Sequence, residues 1–129
     1  MNKTEKCPCG SEISFQQCCA KYLNDDAKPE TAEQLMRSRY CAYVKHDEAY
    51  LLNSWHDQTQ PETIDFNPTT QWIRLRIVNS DRGMINDNEG NVEFTAIYKQ
   101  NGRAYRLHEV SRFIRDSSGN WSYIDGEVT

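Results

Sequence analysis

Four of the five cysteines lie within residues 7–19, as the two close pairs Cys7/Cys9 and Cys18/Cys19. Four thiolates in this pattern suit one tetrahedral Zn²⁺, with Zn–S distances of about 2.3 Å. The alternative is disulfide bonding, in which each disulfide would join a cysteine of the first pair to a cysteine of the second. Adjacent Cα atoms are only ~3.8 Å apart, whereas an unstrained bridge needs roughly 4.4–6.8 Å. We favour a structural zinc site with four protein ligands and no open position, and keep disulfides or free thiols as the alternative.

The residues between the two pairs favour a compact metal-binding turn. Pro8 fixes its own φ, and Gly10 permits a positive φ after it. Ser11 is a candidate cap for a short helix over residues 14–18. Phe15 is expected to pack on this segment, which is too short to fold without the free energy of metal binding.

The pattern C-x-C, eight residues and C-C, with an aromatic residue before the second pair, resembles the SEC-C motif named after the SecA translocation ATPase. The resemblance implies that the four cysteines are zinc ligands and that residues 1–24 form the motif. Where the motif often has Gly-Lys-Lys, this chain has Glu12-Ile13-Ser14. The three lysines and three acidic residues of positions 1–25 balance, so an acidic partner would not be attracted electrostatically. An adaptor role in protein secretion is therefore only an alternative.

Composition limits the class of protein. The chain has 129 residues, 37% of them hydrophobic, which is enough for one domain plus an appendage. A net charge of -4 argues against broad nucleic-acid binding, which needs excess lysine and arginine. The longest apolar runs are too short to span a bilayer. The opening MNKTEKCPCG has no apolar stretch after its lysine, which predicts no secretory signal and a cytoplasmic protein.

Downstream, the hydrophobic period changes from helical to strand-like. Residues 31–47 are predicted to be a helix capped by Thr31, and Asp47 is predicted to cap a second helix over 48–56. From residue 72, apolar residues such as Ile73, Leu75 and Ile77 alternate with polar ones. Turns are predicted at residues 88–91, 101–102 and 118–120. This order predicts an α+β domain with helices packed on one face of an antiparallel sheet.

The order resembles the nuclear-transport-factor-2-like (SnoaL-like) fold, in which helices and a curved antiparallel sheet form a cone. The segments RSRYCAYVKHDEAYLLNSWH and EVSRFIRDSSGNWSYIDG resemble the bacterial YchJ-type proteins more closely. The resemblance implies a cone domain over residues 30–129 behind the zinc knuckle. Domains of this class commonly form homodimers and include both enzymes and binding modules, so the fold does not decide the function.

Glu109 and His56 are the candidate catalytic residues. Glu109 alternates with Leu107 and Phe113, so its carboxylate is predicted to point to the concave apolar face, unless a bulge shifts the register. The structural alternative is an ion pair with one of three arginines: Arg37, Arg39 or Arg112. His56 is a candidate general base, with the closing of a helix C-terminus as its structural alternative.

Five further residues are candidates for lining or binding in the cavity: Arg37, Tyr40, Trp55, Ser111 and Arg112. Tyr40 and Trp55 suit hydrophobic packing equally well, and Cys41 is interpreted as a small packing residue. No complete catalytic constellation appears in the sequence. We therefore predict a zinc-binding module for a small molecule or a protein partner, with a lyase or isomerase using Glu109 and His56 as the alternative.

Overall fold

The computed structural model describes residues 5–128; residues 1–4 and 129, which belong to the two predicted domains, lie outside the described part. The chain forms an α+β arrangement, as predicted. The elements in chain order are a 3₁₀ turn (Phe15–Gln17), α1 (Ala20–Leu23), α2 (Ala32–Lys45), α3 (Glu48–Asn53), β1 (Thr70–Arg82), β2 (Glu89–Gln100), β3 (Arg103–Arg115) and β4 (Trp121–Val128). Within the described residues, no helix is both long and apolar enough to cross a bilayer.

The two main helices begin at the caps expected from the sequence. Thr31 Oγ1 accepts a hydrogen bond from the backbone N–H of Gln34 at 3.2 Å, which starts α2. Asp47 Oδ1 accepts one from the backbone N–H of Tyr50 at 3.0 Å and starts α3. His46 lies between them in the left-handed region, with φ of 57°. α3 ends at Asn53, three residues earlier than predicted.

The four strands form one antiparallel sheet in the order β1-β2-β3-β4. Asn101 and Gly102, both with positive φ, make the predicted two-residue hairpin between β2 and β3. The turn predicted at residues 88–91 is wrong, because Glu89 and the residues after it already belong to β2. The chain reverses before that point, after Gly83.

The core lies between α2 and one face of the sheet. Its buried residues include Leu35 and Cys41 of α2 and four sheet residues: Val92, Phe94, Ala96 and Phe113. Leu75 of β1 is buried as predicted, but Ile73 is 47% exposed. A register shift between Trp72 and Arg74 explains this difference, since a bulge interrupts the alternation of faces.

Two hydrogen bonds fix the start of α2 to the sheet. The indole Nε1 of Trp121 donates to the carbonyl of Glu30 at 2.9 Å. The backbone N–H of Ala32 donates to the carbonyl of Gly83 at 2.9 Å. These contacts hold the helix across the sheet, so that side chains of both elements line the space between them.

Candidate metal centre and cavity

The four cysteines of the N-terminal segment converge. Their Sγ atoms all lie within 4.8 Å of one another. The Sγ of Cys18 is 3.7 Å from that of Cys9 and 3.9 Å from that of Cys19. Four sulfurs placed tetrahedrally at about 2.3 Å from one ion would be about 3.8 Å apart. The set therefore fits a metal ion with four thiolate ligands.

The backbone of the segment places these sulfurs. The N–H of Cys7 donates to the carbonyl of Ile13 at 2.8 Å and closes the loop between the pairs. Gly10 has φ of 83°, and a Cβ at this position would come within 2.9 Å of the carbonyl oxygen of Leu75 in β1. Glycine is thus required both by the local conformation and by the close approach to the sheet.

A 3₁₀ turn, rather than the predicted short helix, brings in the second pair. The turn spans Phe15–Gln17, and the N–H of Cys18 donates to the carbonyl of Phe15 at 3.1 Å. Ser11 does not cap it; its Oγ accepts a hydrogen bond from the N–H of Ile13 and lies 3.2 Å from the Sγ of Cys18. Phe15 packs against the core, as expected.

Helix α2 contributes two residues to the surroundings of the sulfur cluster. Arg37 Nη1 donates to the carbonyl of Cys9 at 2.7 Å and lies 3.9 Å from its Sγ, while Nε donates to Glu33. Cys41 is fully buried, and its Sγ is 3.4 Å from that of Cys7. Cys41 is thus part of the packed core, as interpreted from the sequence, and it also contacts a cysteine of the N-terminal segment.

Hydrogen bonding inside the cluster favours the thiolate form of Cys7 and Cys9, whereas the contact with Cys41 raises the pKa of Cys19 and burial raises that of Cys18. Contacts from Cys19 first, and then from Cys41, lower the pKa of Cys7 to about 6 and also lower the pKa of Cys9. A lowered pKa makes these sulfurs better metal ligands, because metals bind the deprotonated form. The positive charge of Arg37 beside Cys9 acts in the same direction.

A separate cavity of about 240 Å³ lies between α2 and the concave face of the sheet. Aromatic and aliphatic side chains make up most of its wall. The lining residues are Met36, Arg39, Tyr40, Tyr43, Trp72, Phe94, Ala96, Leu107, Glu109, Ser111 and Tyr123. This volume is just below the range of about 300–1,000 Å³ that is typical of pockets for drug-sized ligands. The cavity therefore suits a small molecule.

Glu109 points into this cavity from β3. Its Oε2 accepts hydrogen bonds from Ser111 Oγ at 2.7 Å and from Tyr123 Oη at 3.5 Å. The carboxylate lies against Gly126 of the neighbouring strand, where a methyl group would overlap it. The structure thus places Glu109 among the residues that line the cavity, on the side of β3 that strand alternation predicts.

The ion pair considered for Glu109 is not formed. Arg37 pairs with Glu33 at 3.0 Å, and Arg112 pairs with Asp125 at 2.6 Å. In the described part of the chain, no cationic side chain forms an ion pair with Glu109. The carboxylate is thus oriented by two hydroxyl groups within a largely apolar wall.

Arg39 is buried at the edge of the same cavity. Its Nη1 donates to the carbonyl of Leu51 at 2.8 Å and to Ser54 Oγ at 2.7 Å. Its guanidinium carbon is 4.9 Å from the ring centre of Trp55 and 4.6 Å from that of Tyr123. Burial lowers the pKa of Arg39 from its ordinary value. These contacts connect α2 to the end of α3 and to β4.

The other candidate residues are distributed unevenly around the cavity. Tyr40 and Ser111 line it. Among the described residues, its lining does not include Arg37, which is held at the sulfur cluster, or Arg112, which pairs across β3 and β4. Trp55 lies behind Tyr123, with ring centres 5.0 Å apart.

His56 also lies outside the lining residues. Its backbone N–H donates to the carbonyl of Tyr123 at 2.8 Å, and its Nδ1 accepts a hydrogen bond from the N–H of Gln58. The ring therefore faces the loop after α3, where Asp57 lies 3.1 Å away. The structure does not bring Glu109 and His56 to one cavity.

The sequence interpretation missed four aromatic lining residues: Tyr43, Trp72, Phe94 and Tyr123. Tyr43 lies three positions after Tyr40 on α2, a helical spacing that places both rings on one face. Trp72 could be found only by knowing the bulge that follows it in β1. Tyr123 could be found from the alternation of β4.

The fold and the paired sites define a nuclear-transport-factor-2-like domain that carries an N-terminal SEC-C motif. The family described as "YchJ, middle NTF2-like domain" matches residues 31–126, and the SEC-C motif matches residues 4–21. Because the first match covers more than half of the chain, this protein belongs to the YchJ family.

Similar proteins come from several bacteria. A UPF0225 protein of Ralstonia nicotianae is 43% identical over 98% of this chain and 93% of its own length. One of Streptomyces coelicolor is 44% identical over 96% of both chains. The solution structure of a SEC-C motif containing protein from Rhodopseudomonas palustris has a TM-score of 0.83 and 28% identity, covering 95% of this chain and 98% of that one. A crystal structure from Psychrobacter arcticus, with a TM-score of 0.79 and 24% identity, shows the same fold and covers 98% of this chain and 84% of that one.

Proposed function

We propose that this protein is a binding module with one structural zinc ion and a separate cavity for a small organic molecule. The observation that supports binding of a small molecule is the cavity of about 240 Å³. Its largely apolar wall holds the Glu109 carboxylate without an ion pair. Burying part of a carboxylate beside empty apolar space is costly unless a partner compensates for it. A ligand with complementary polarity would supply that partner.

Zinc is the ion we propose for the four-cysteine site. The sulfur spacing supports tetrahedral thiolate coordination, which zinc adopts readily and without redox chemistry. With four protein ligands, no position is left for a catalytic water, so the ion's role is to fold the segment. A cytoplasmic location, a homodimer and a protein partner stay predictions.

Native mass spectrometry tests the metal half of the proposal. We expect one zinc per chain in protein purified from zinc-replete medium, and replacement by Co²⁺ should give the absorption bands of tetrahedral sulfur coordination. Cys9→Ser should reduce zinc occupancy, because the Cys9 side chain is fully buried within the cluster. Metal-free protein with a fully folded N-terminal segment would contradict the proposal.

The lyase or isomerase alternative required Glu109 and His56 at one cavity. His56 is not among the lining residues, so binding is the function we propose.

A cavity-blocking variant tests the ligand half. Leu107 is a half-buried lining residue, so Leu107→Trp should fill the space with little disturbance of the core. Small aromatic molecules should shift the NMR signals of Trp72 and Tyr40 in the original protein and not in this variant. Ile73→Trp adds the same bulk at an exposed site outside the cavity and should leave binding intact. Equal binding by all three proteins would refute the cavity as the site.

A further inference from the structure

The ligand class can be narrowed from the arrangement of rings in the cavity. Trp72 meets Tyr40 at a centroid distance of 6.0 Å and an interplanar angle of 73°, and it meets Tyr43 at 6.2 Å and 53°. Phe94 and Tyr123 add two more rings to the lining. Aromatic residues therefore make up much of the wall of this small space. Such an arrangement attracts organic cations.

The carboxylate of Glu109 adds a negative charge to this aromatic enclosure. Both of its observed hydrogen bonds, from Ser111 and Tyr123, go to Oε2. Across residues 5–128, no hydrogen bond to Oε1 is formed, so this oxygen remains an acceptor for a ligand. Gly126 makes room for the carboxylate to adopt this position. Charge-assisted hydrogen bonds to carboxylates are the stronger ones in proteins.

Among the described lining residues Arg39 is the one cation, and its charge interacts with that of Glu109 without forming an ion pair with it. Its Nη1 is already bonded to the carbonyl of Leu51 and to Ser54, and its guanidinium stacks against two rings. Burial raises the pKa of Tyr123. The negative charge of Glu109 also raises this pKa, and its effect is larger than the opposite effect of the positive charge of Arg39. At the Tyr123 hydroxyl, the electrostatic effect of Glu109 is therefore the larger one.

We propose that the cavity binds a small organic cation, a protonated amine with an apolar or aromatic body, whose N–H groups donate to Glu109 Oε1 while its body contacts Tyr40, Tyr43 and Trp72. This inference rests on the proposed function, because it names the ligand class of the same cavity. The volume of about 240 Å³ limits the ligand to a single small ring or a short aliphatic chain.

A matched set of probes tests the charge requirement. Calorimetric titration at neutral pH would compare 2-phenylethylammonium, its neutral analogue 2-phenylethanol and the anion 3-phenylpropionate. We expect the amine to bind about tenfold or more tightly than the alcohol, and the anion not to bind. A quaternary probe, phenyltrimethylammonium, separates attraction by the rings from the hydrogen bond to Oε1, and we expect it to bind more weakly than the amine.

Glu109→Gln preserves the shape and removes the charge, so it should weaken amine binding about tenfold and change alcohol binding little. Glu127→Gln makes the same charge change at an exposed site on β4 and should have no effect. In the original protein, salt should weaken amine binding only, a result that does not depend on the folding of any variant.

The outcomes separate the two proposals. If the alcohol or the anion binds as well as the amine, or if Glu109→Gln leaves amine binding unchanged, the ligand class is wrong and the cavity remains a binding site. If no probe of any charge binds in the original protein, both the ligand class and the proposed function are refuted.

Discussion

Replacing Arg37 by methionine tests how the sulfur cluster is attached to α2. Methionine keeps an unbranched apolar stem and removes the charged guanidinium donor. The loss consists of the 2.7 Å hydrogen bond to the carbonyl of Cys9, the positive charge 3.9 Å from the Cys9 sulfur and the ion pair with Glu33. Hydrogen bonds that involve a charged group contribute about 1.5–3 kcal/mol to stability. Since the Arg37 side chain is 23% exposed, we expect a loss near the lower end of that range.

The expected shift in melting temperature follows from the size of the domain. For a chain of this length, each 1 kcal/mol corresponds to about 3–5 °C, so Arg37→Met should lower the melting temperature of the metal-bound protein by about 5–8 °C. A chromogenic chelator should also remove the metal faster from the variant. Glu33→Gln removes the other partner of Arg37 and should cost only about 0.3–0.5 kcal/mol, as expected of a partly exposed helical pair.

The decisive comparison uses metal-free protein. Without the ion, the segment that contains Cys9 should not hold its carbonyl against α2, so Arg37→Met should then have little effect on unfolding. An equal loss of stability with and without metal would mean that Arg37 acts through α2 alone, and the attachment argument would be refuted.

Two further substitutions follow from contacts described above. Cys41→Ser should leave zinc at one per chain in native mass spectrometry, because four other sulfurs already complete a tetrahedral set; loss of zinc would make Cys41 a ligand. Gly126→Ala should displace the Glu109 carboxylate and weaken amine binding in calorimetry about as much as Glu109→Gln, with no further loss in the double variant. Additive losses would show that the two residues act separately.

Much of this architecture could be predicted from short-range patterns. Thr31 and Asp47 act as caps through atoms within three residues of them, and Asn101-Gly102 determines its own turn. The four-cysteine set was recognisable because its members lie within one segment. The side of β3 on which Glu109 lies follows from strand alternation, which is also a local property.

The errors come from contacts between distant parts of the chain. The contacts of Arg37 with Cys9 and of Cys41 with Cys7 could not be predicted, because these partners lie 28 and 34 positions away in sequence. A bulge in β1, which no residue type announces, turned Ile73 outward. The partners of a buried arginine can be predicted only when the packing of the helix on the sheet is known. The sequence pattern alone does not provide this packing.

Helix α2 serves both sites at once. Arg37 and Cys41, four positions apart, contact the cysteine segment from one side of the helix, while Tyr40 and Tyr43 line the cavity from another. Any rotation or translation of this helix therefore changes the contacts at both the cysteine segment and the cavity. The two binding equilibria are then linked. If the metal ion changes the affinity of the cavity for its ligand by some factor, the ligand must change the affinity of the cysteine site for the ion by the same factor.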